Sequence, residues 1–126
     1  MACPFCSISR PLLAESDLAI ALEDLYPVSP GHALVIPRRH AETYFDCTAE
    51  EKAALWELVD RVRERTEAAH HPDGFNVGLN AGRAAGQTVF HAHIHVIPRY
   101  AGDVPDPRGG VRHAVVGRGF DGLTKR

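Results

Sequence analysis

The stretch Val89-Phe-His-Ala-His-Ile-His-Val-Ile-Pro98 sets three histidines, His91, His93 and His95, at strict two-residue spacing. Ala92, Ile94 and Val96 alternate with them. Alternation is the period of a β-strand, so Gln87 to Arg99 reads as a strand ended by Pro98. On such a strand the three imidazoles share one face, with neighbours roughly 7 Å apart. A solvent face more commonly carries Ser, Thr, Lys or Glu, so the row points to chemistry. A neutral imidazole is a nucleophile near pH 7 and also a metal ligand, and the row alone does not divide those jobs.

Upstream, Phe75–Asn80 reads as another strand, followed by the small-residue loop Ala81-Gly-Arg-Ala-Ala-Gly86 and then Gln87 and Thr88. Backbone N–H groups, an amide and a hydroxyl are the donors that a phosphate seeks. The loop is not a Walker loop, since it lacks the Gly-Lys-Ser/Thr ending. Further back, the apolar runs Leu18–Leu22 and His32–Pro37 read as an antiparallel pair. The turn Tyr26-Pro-Val-Ser-Pro-Gly31 joins them.

Between these blocks lies a helix. Thr48 is a good N-cap and Glu51, three residues on, completes a capping box. Leu55, Leu58, Val59, Val62, Thr66 and Ala69 follow at helical spacing, opposite Glu57, Asp60, Arg61, Glu64 and Arg65. The pattern predicts roughly 20 helical residues ending before Pro72, packed on a sheet and without chemistry of their own. The segment from Tyr100 onward holds six of the eleven glycines. It reads as an irregular extension with a short strand at Val111–Val116. Runs of strands with one long helix define an α+β class with a mainly antiparallel sheet.

Bulk properties narrow the function. A chain of 126 residues is the size of one domain and can bury a core without disulfides. Its net charge of −2 makes no electrostatic case for nucleic acid or a membrane surface. The opening Met-Ala-Cys-Pro-Phe-Cys-Ser-Ile-Ser-Arg has no signal-peptide pattern, and no apolar run approaches a membrane span. The expected location is the cytoplasm. In that reducing compartment Cys3-Pro-Phe-Cys6 is a metal-binding or redox pair rather than half of a disulfide scaffold, while Cys47 reads as a small semi-buried side chain. Two thiolates and two imidazoles would complete a tetrahedral zinc site. By residue type alone the imidazoles come from any of His32, His40, His70, His71, His91, His93, His95 and His113. A catalytic zinc on His91, His93 and His95 is a competing reading, but it leaves Cys3 and Cys6 without a role.

Gly86-Gln-Thr-Val-Phe-His-Ala-His-Ile-His-Val-Ile-Pro-Arg99 resembles the signature of the HIT (histidine triad) family, and Pro27-Val-Ser-Pro-Gly-His-Ala-Leu-Val-Ile-Pro-Arg-Arg-His40 looks like the other half of its site. The opening Cys-Pro-Phe-Cys-Ser-Ile is similar to that of bacterial, zinc-containing members, and the likeness spans roughly Cys3 to Asp103. It implies a five-stranded, mainly antiparallel sheet with one long helix and a short N-terminal helix. It sets a HIT domain at 1–103 and a Gly/Pro-rich extension at 104–126, both in one domain. It makes His93 the nucleophile, with His95, His32 and Gln87 as further catalytic residues. Asn80, Thr88 and Gly86 would bind phosphate and leaving group, and Asp24 the ribose. Phe5, Ile8, Leu22 and Leu25 would wall the base, and Cys3, Cys6, His40 and His91 would hold a structural zinc. The implied activity is cleavage at the α-phosphate of dinucleoside polyphosphates, releasing a nucleoside monophosphate through a nucleotidyl-histidine. Thr88, where Hint-like chains carry Ser, leans the reading toward the Fhit branch. Ile94 speaks against the uridylyltransferase branch, which has proline there. The alternatives are a Hint-like hydrolase of AMP-lysine or AMP-amine phosphoramidates and a non-catalytic nucleotide-binding module. An adenosine nucleotide substrate and a homodimer with joined sheets are also implied.

Overall fold

A computed structural model describes residues 3–123. Met1, Ala2 and residues 124–126, the outer ends of the two expected segments, lie outside the described residues. One antiparallel sheet carries the site. Its strands are β1 (Ala14–Glu15), β2 (Ala19–Glu23), β3 (Ala33–Pro37), β4 (Gly74–Leu79) and β5 (Ile94–Arg99). Their order is β1-β2-β3-β5-β4, so the two strands nearest the histidines, β3 and β5, are neighbours. Leu34 stands opposite His95 in that pairing.

The single long helix, α1 (Ala49–His70), covers one face. Thr48 caps it as expected: its side chain accepts from the Glu51 N–H, and Glu51 reaches back to the Thr48 N–H at 2.8 Å. The chain leaves the helix through His71 in the left-handed conformation (φ 52°), just before Pro72. Leu55, Leu58 and Val62 pack on Ala19, Ala21, Ala33 and Val35, the small alanines letting the helix sit close. On the opposite face Ile20, Leu22, Leu34 and Ile36 form a second cluster under Phe5, Ile8 and Leu12 of the N-terminal segment. Covering on both faces explains why β2 and β3 read as continuous apolar runs rather than alternating ones.

Gly31 is the hinge that delivers His32. Its φ is +89°, and a Cβ there would stand 3.0 Å from His70 Cδ2 and 3.1 Å from Thr66 Cγ2. Arg39 ties the far end of β3 to the start of α1. Its guanidinium donates to both carboxylate oxygens of the buried Glu51 at 2.8 and 3.0 Å. These bonds, with the Thr48 backbone N–H, hold the Glu51 carboxyl down at about 2.

Three expectations are corrected. Among the described residues the N-terminal segment forms no helix; Pro4–Cys6 is a turn closed by the Cys6 N–H on the Cys3 carbonyl. The histidine strand begins only at Ile94, because the Ala92 N–H bonds to the Ala41 carbonyl at 2.7 Å instead of joining the ladder. Val111–Val116 is no strand: Gly110–Ala114 is a 3-10 helix, entered through Gly109 and Gly110 at positive φ. No helix of the described residues is long and apolar enough to cross a membrane.

Candidate active site and metal corner

The three histidines still form a row, although only His95 lies in a regular strand. The Phe5 ring stands edge-on to His91 (6.0 Å between centroids) and to His93 (5.2 Å), and His93 to His95 (5.1 Å). What separates them is their hydrogen bonds.

His91 is fully buried at one end of the row. Its Nε2–H donates to the Pro37 carbonyl at 2.7 Å, which leaves Nδ1 as a lone pair. That nitrogen lies 3.3 Å from Cys3 Sγ and 3.5 Å from Cys6 Sγ, and His40 Nδ1 is 3.2 Å from Cys6 Sγ. The four donors all lie within 4.8 Å of one another. Two thiolates and two imidazoles at these separations fit a tetrahedral ion with bonds of about 2.0–2.3 Å. Cys3, Cys6, His40 and His91 could thus hold a metal ion. The Arg39–Glu51 pair fixes the chain just before His40, and the bond from Ala92 to Ala41 fixes it just after.

His93 is oriented differently. A carbonyl oxygen only accepts, so the 2.8 Å contact from Nδ1 to the His91 carbonyl places the proton on Nδ1. Nε2 is then an unprotonated lone pair. The chain of bonds around His95 assigns the opposite role. The Val28 N–H donates to His32 Nδ1 at 3.1 Å, so His32 carries its proton on Nε2. That proton is donated to His95 Nδ1 at 2.9 Å, and Asp24 Oδ2 lies 3.5 Å from His32 Nε2. His95 therefore presents Nε2–H outward. Burial, then the nearby His93 and His32, push the His95 imidazole down to about 4. Burial also lowers His32, while Asp24 pulls the other way. The pair is neutral at pH 7, a donor that stays a donor.

The remaining expected residues are placed as follows. Phe5, Ile8 and Leu22 come together in the apolar cluster beside the histidines, with Leu22 wholly covered and supporting the other two. Asn80 lines a cleft of about 500 Å³ that opens beside His32 and His95. Gly86 and Thr88 are exposed on the loop leading to His91, where Gly82 and Gly86 adopt positive φ. Leu25 stands apart from the cluster and is 63% exposed. Gln87 departs from the role expected of it. It is buried, its Oε1 accepts from the Gly82 N–H, and its amide donates to the Glu42 and Val89 carbonyls. Committed in this way, it braces the glycine loop rather than offering donors to a ligand. Sequence reasoning missed Arg39 and the Val28 N–H. The first was signalled only by its partner Glu51, read as a cap; the second is a backbone group with no sequence signal.

An α+β fold whose antiparallel sheet sets three histidines in a row beside a four-donor corner is a histidine-based architecture, and the comparisons with known proteins agree. The HIT domain model matches residues 7–102, and the chain belongs to the HIT family. An uncharacterised HIT-like protein of Mycoplasma genitalium is 37% identical over 103 residues, 78% of this chain and 73% of that one. The bifunctional bis(5'-adenosyl)-triphosphatase/adenylylsulfatase FHIT of Arabidopsis thaliana is 37% identical over 94 residues, 75% of this chain. The match spans about half (52%) of that relative's length. Among solved structures, a hypothetical histidine triad nucleotide-binding protein of Sulfolobus tokodaii superposes with a TM-score of 0.75 at 39% identity, covering 82% of this chain and 73% of that one. Related HIT proteins are thus nucleotide hydrolases, alongside others of no stated activity.

Proposed function

We propose that the protein hydrolyses dinucleoside polyphosphates, such as diadenosine tri- or tetraphosphate, at the α-phosphate. The observation that carries this reading is the pairing of an unprotonated His93 Nε2 with the outward His95 Nε2–H. In the first step His93 Nε2 attacks the α-phosphorus and the bond from phosphorus to the bridging oxygen breaks. The departing polyphosphate carries the electron pair. The ring becomes cationic, and its Nδ1–H on the His91 carbonyl stabilises that charge. His95 donates to a non-bridging oxygen, held by His32. Water then attacks phosphorus, the P–N bond breaks, and a nucleoside monophosphate and a proton leave. Asn80, Gly86 and Thr88 supply further donors, Asp24 takes the ribose hydroxyls, and Phe5 and Ile8 pack against the base.

The metal proposed for Cys3, Cys6, His40 and His91 is zinc in a closed structural site, which offers substrate no open position. The protein is placed in the cytoplasm, where both thiols stay reduced. A homodimer in which the sheets of two copies join is proposed from the resemblance to the family.

The test is a panel of diadenosine tri- and tetraphosphate, an AMP-morpholidate phosphoramidate and adenylated lysine, with product analysis. His93→Ala is expected to lose at least about 10³-fold in turnover while AMP binding survives. Unchanged turnover in His93→Ala contradicts the mechanism. Faster cleavage of the phosphoramidates moves the substrate to the Hint-like class, and AMP binding without any turnover leaves a binding module.

A further inference from the structure

The cleft beside His32 and His95 has a wall that the family match does not include. Residues 7–102 match the HIT domain, yet Gly110, Val111 and Ala114 line this cleft of about 500 Å³, facing His32, Gly78 and His95. The segment that carries them is folded. Gly110–Ala114 is a 3-10 helix, the Arg112 guanidinium donates to the Gly119 and Asp121 carbonyls, and His113 stacks edge-on to Phe120 at 4.6 Å. Its two ends touch so closely that a Cβ on Gly109 would stand 2.5 Å from the Gly119 carbonyl oxygen. It rests on β4, where a Cβ on Gly110 would be 3.3 Å from Asn76 Nδ2.

We propose that this C-terminal segment builds a second nucleoside subsite, which receives the bulky leaving half of a dinucleoside polyphosphate. The inference rests on the activity proposed above and names its substrate class more narrowly. Three observations carry it. The cleft's volume is in the range of small-molecule sites and far exceeds a small amine. Its rim has apolar side chains without partners, Val111 at 63% and Val28 at 72% exposure, which a flat base would cover. Asn76, which lines the cleft, supplies a polar handle: its Oδ1 accepts from Arg99 at 2.6 Å, which leaves its amide N–H groups as donors. A smaller cleft of about 310 Å³ is lined by Phe5, Ile8 and Ile20 together with Cys6, Ser7 and Arg38, and its Phe5 ring stands edge-on to His93. One cleft reaches the row through His95 and the other through Phe5, an arrangement that suits two nucleosides joined by a phosphate chain.

Calorimetry on the full chain tests this with AMP and a methylene-bridged, non-hydrolysable diadenosine tetraphosphate. The unmodified protein is expected to bind the dinucleotide at least about tenfold tighter than AMP. Ala114→Trp fills the cleft from an exposed position, and Val111→Gln replaces the apolar contact of the same wall with a neutral polar side chain. Each is expected to remove most of that advantage and to leave AMP affinity within about twofold. Equal affinities in the unmodified protein, dinucleotide binding unchanged in both variants, or an equal loss for AMP would each overturn the subsite. Binding is read without turnover, so absent hydrolysis sinks the proposed activity and still leaves this result decisive.

Discussion

Two clusters share the histidine row and follow opposite rules. Cys3, Cys6, His40 and His91 have ligand atoms within 4.8 Å of one another, and so do Asp24, His32 and His95. By proximity alone both would qualify as metal sites. In the first, the His91 Nε2–H donates to the Pro37 carbonyl, and the donor atoms of the four residues converge on one point. In the second, the ring nitrogens are already joined, His32 Nε2 to His95 Nδ1 at 2.9 Å, with Val28 occupying the remaining lone pair of His32. An ion there would have to break that bond. The lesson is that the partner of the distant ring nitrogen, and not the spacing of the rings, decides what an imidazole does.

The comparison is most easily broken at the corner. Cys3→Ser is expected to abolish metal retention and lower stability by about 4 kcal/mol, if the free ion stands a thousandfold above its dissociation constant. Chemical denaturation of metal-loaded and variant protein measures this, and an unchanged midpoint would detach the corner from the fold. The next effect sharpens how His40 is placed. Glu51→Ala removes both the cap and the Arg39 clamp, and should cost roughly 1–2 kcal/mol in the same assay. Metal affinity should weaken with it, since Arg39 precedes His40; full retention of metal would show that the clamp serves α1 alone.

The smallest effect belongs to the other cluster. His95 sits at about 4 in the fold against an ordinary 6.5, so between these values the unfolded chain binds the extra proton. Stability is therefore complete above pH 6.5 and declines as pH falls toward 4. About 1 kcal/mol of loss is expected between pH 6.5 and 5. His95→Asn should flatten that part of the profile, and an identical slope in the variant would remove His95 as its source.

Most of the fold was legible because it is local. The capping box at Thr48 and Glu51 and the period after it mark α1 within the sequence, and the apolar runs of β2 and β3 mark themselves. What escaped depends on distant partners. The histidine strand is shortened by a bond from Ala92 to Ala41, and no alternation pattern records that. Gln87 looks like a free amide in sequence, but Gly82 and Glu42 engage it. The sequence suggests a short strand at Val111–Val116 within an irregular extension. Positive φ at Gly109 and Gly110 turns the chain into a 3-10 helix instead. For the site, residue type made every histidine a candidate ligand. Only the resemblance singled out His40, which lies 34 residues from Cys6 and bonds to it in the fold.

The division of the triad is tested most directly by metal content per chain in His91→Ala, His93→Ala and His95→Ala, purified alongside the unmodified protein. One zinc per chain is expected in the unmodified protein and in the variants at 93 and 95, with loss confined to the variant at 91. Loss of the ion from His93→Ala or His95→Ala would contradict the division and return the row to a single metal-binding face.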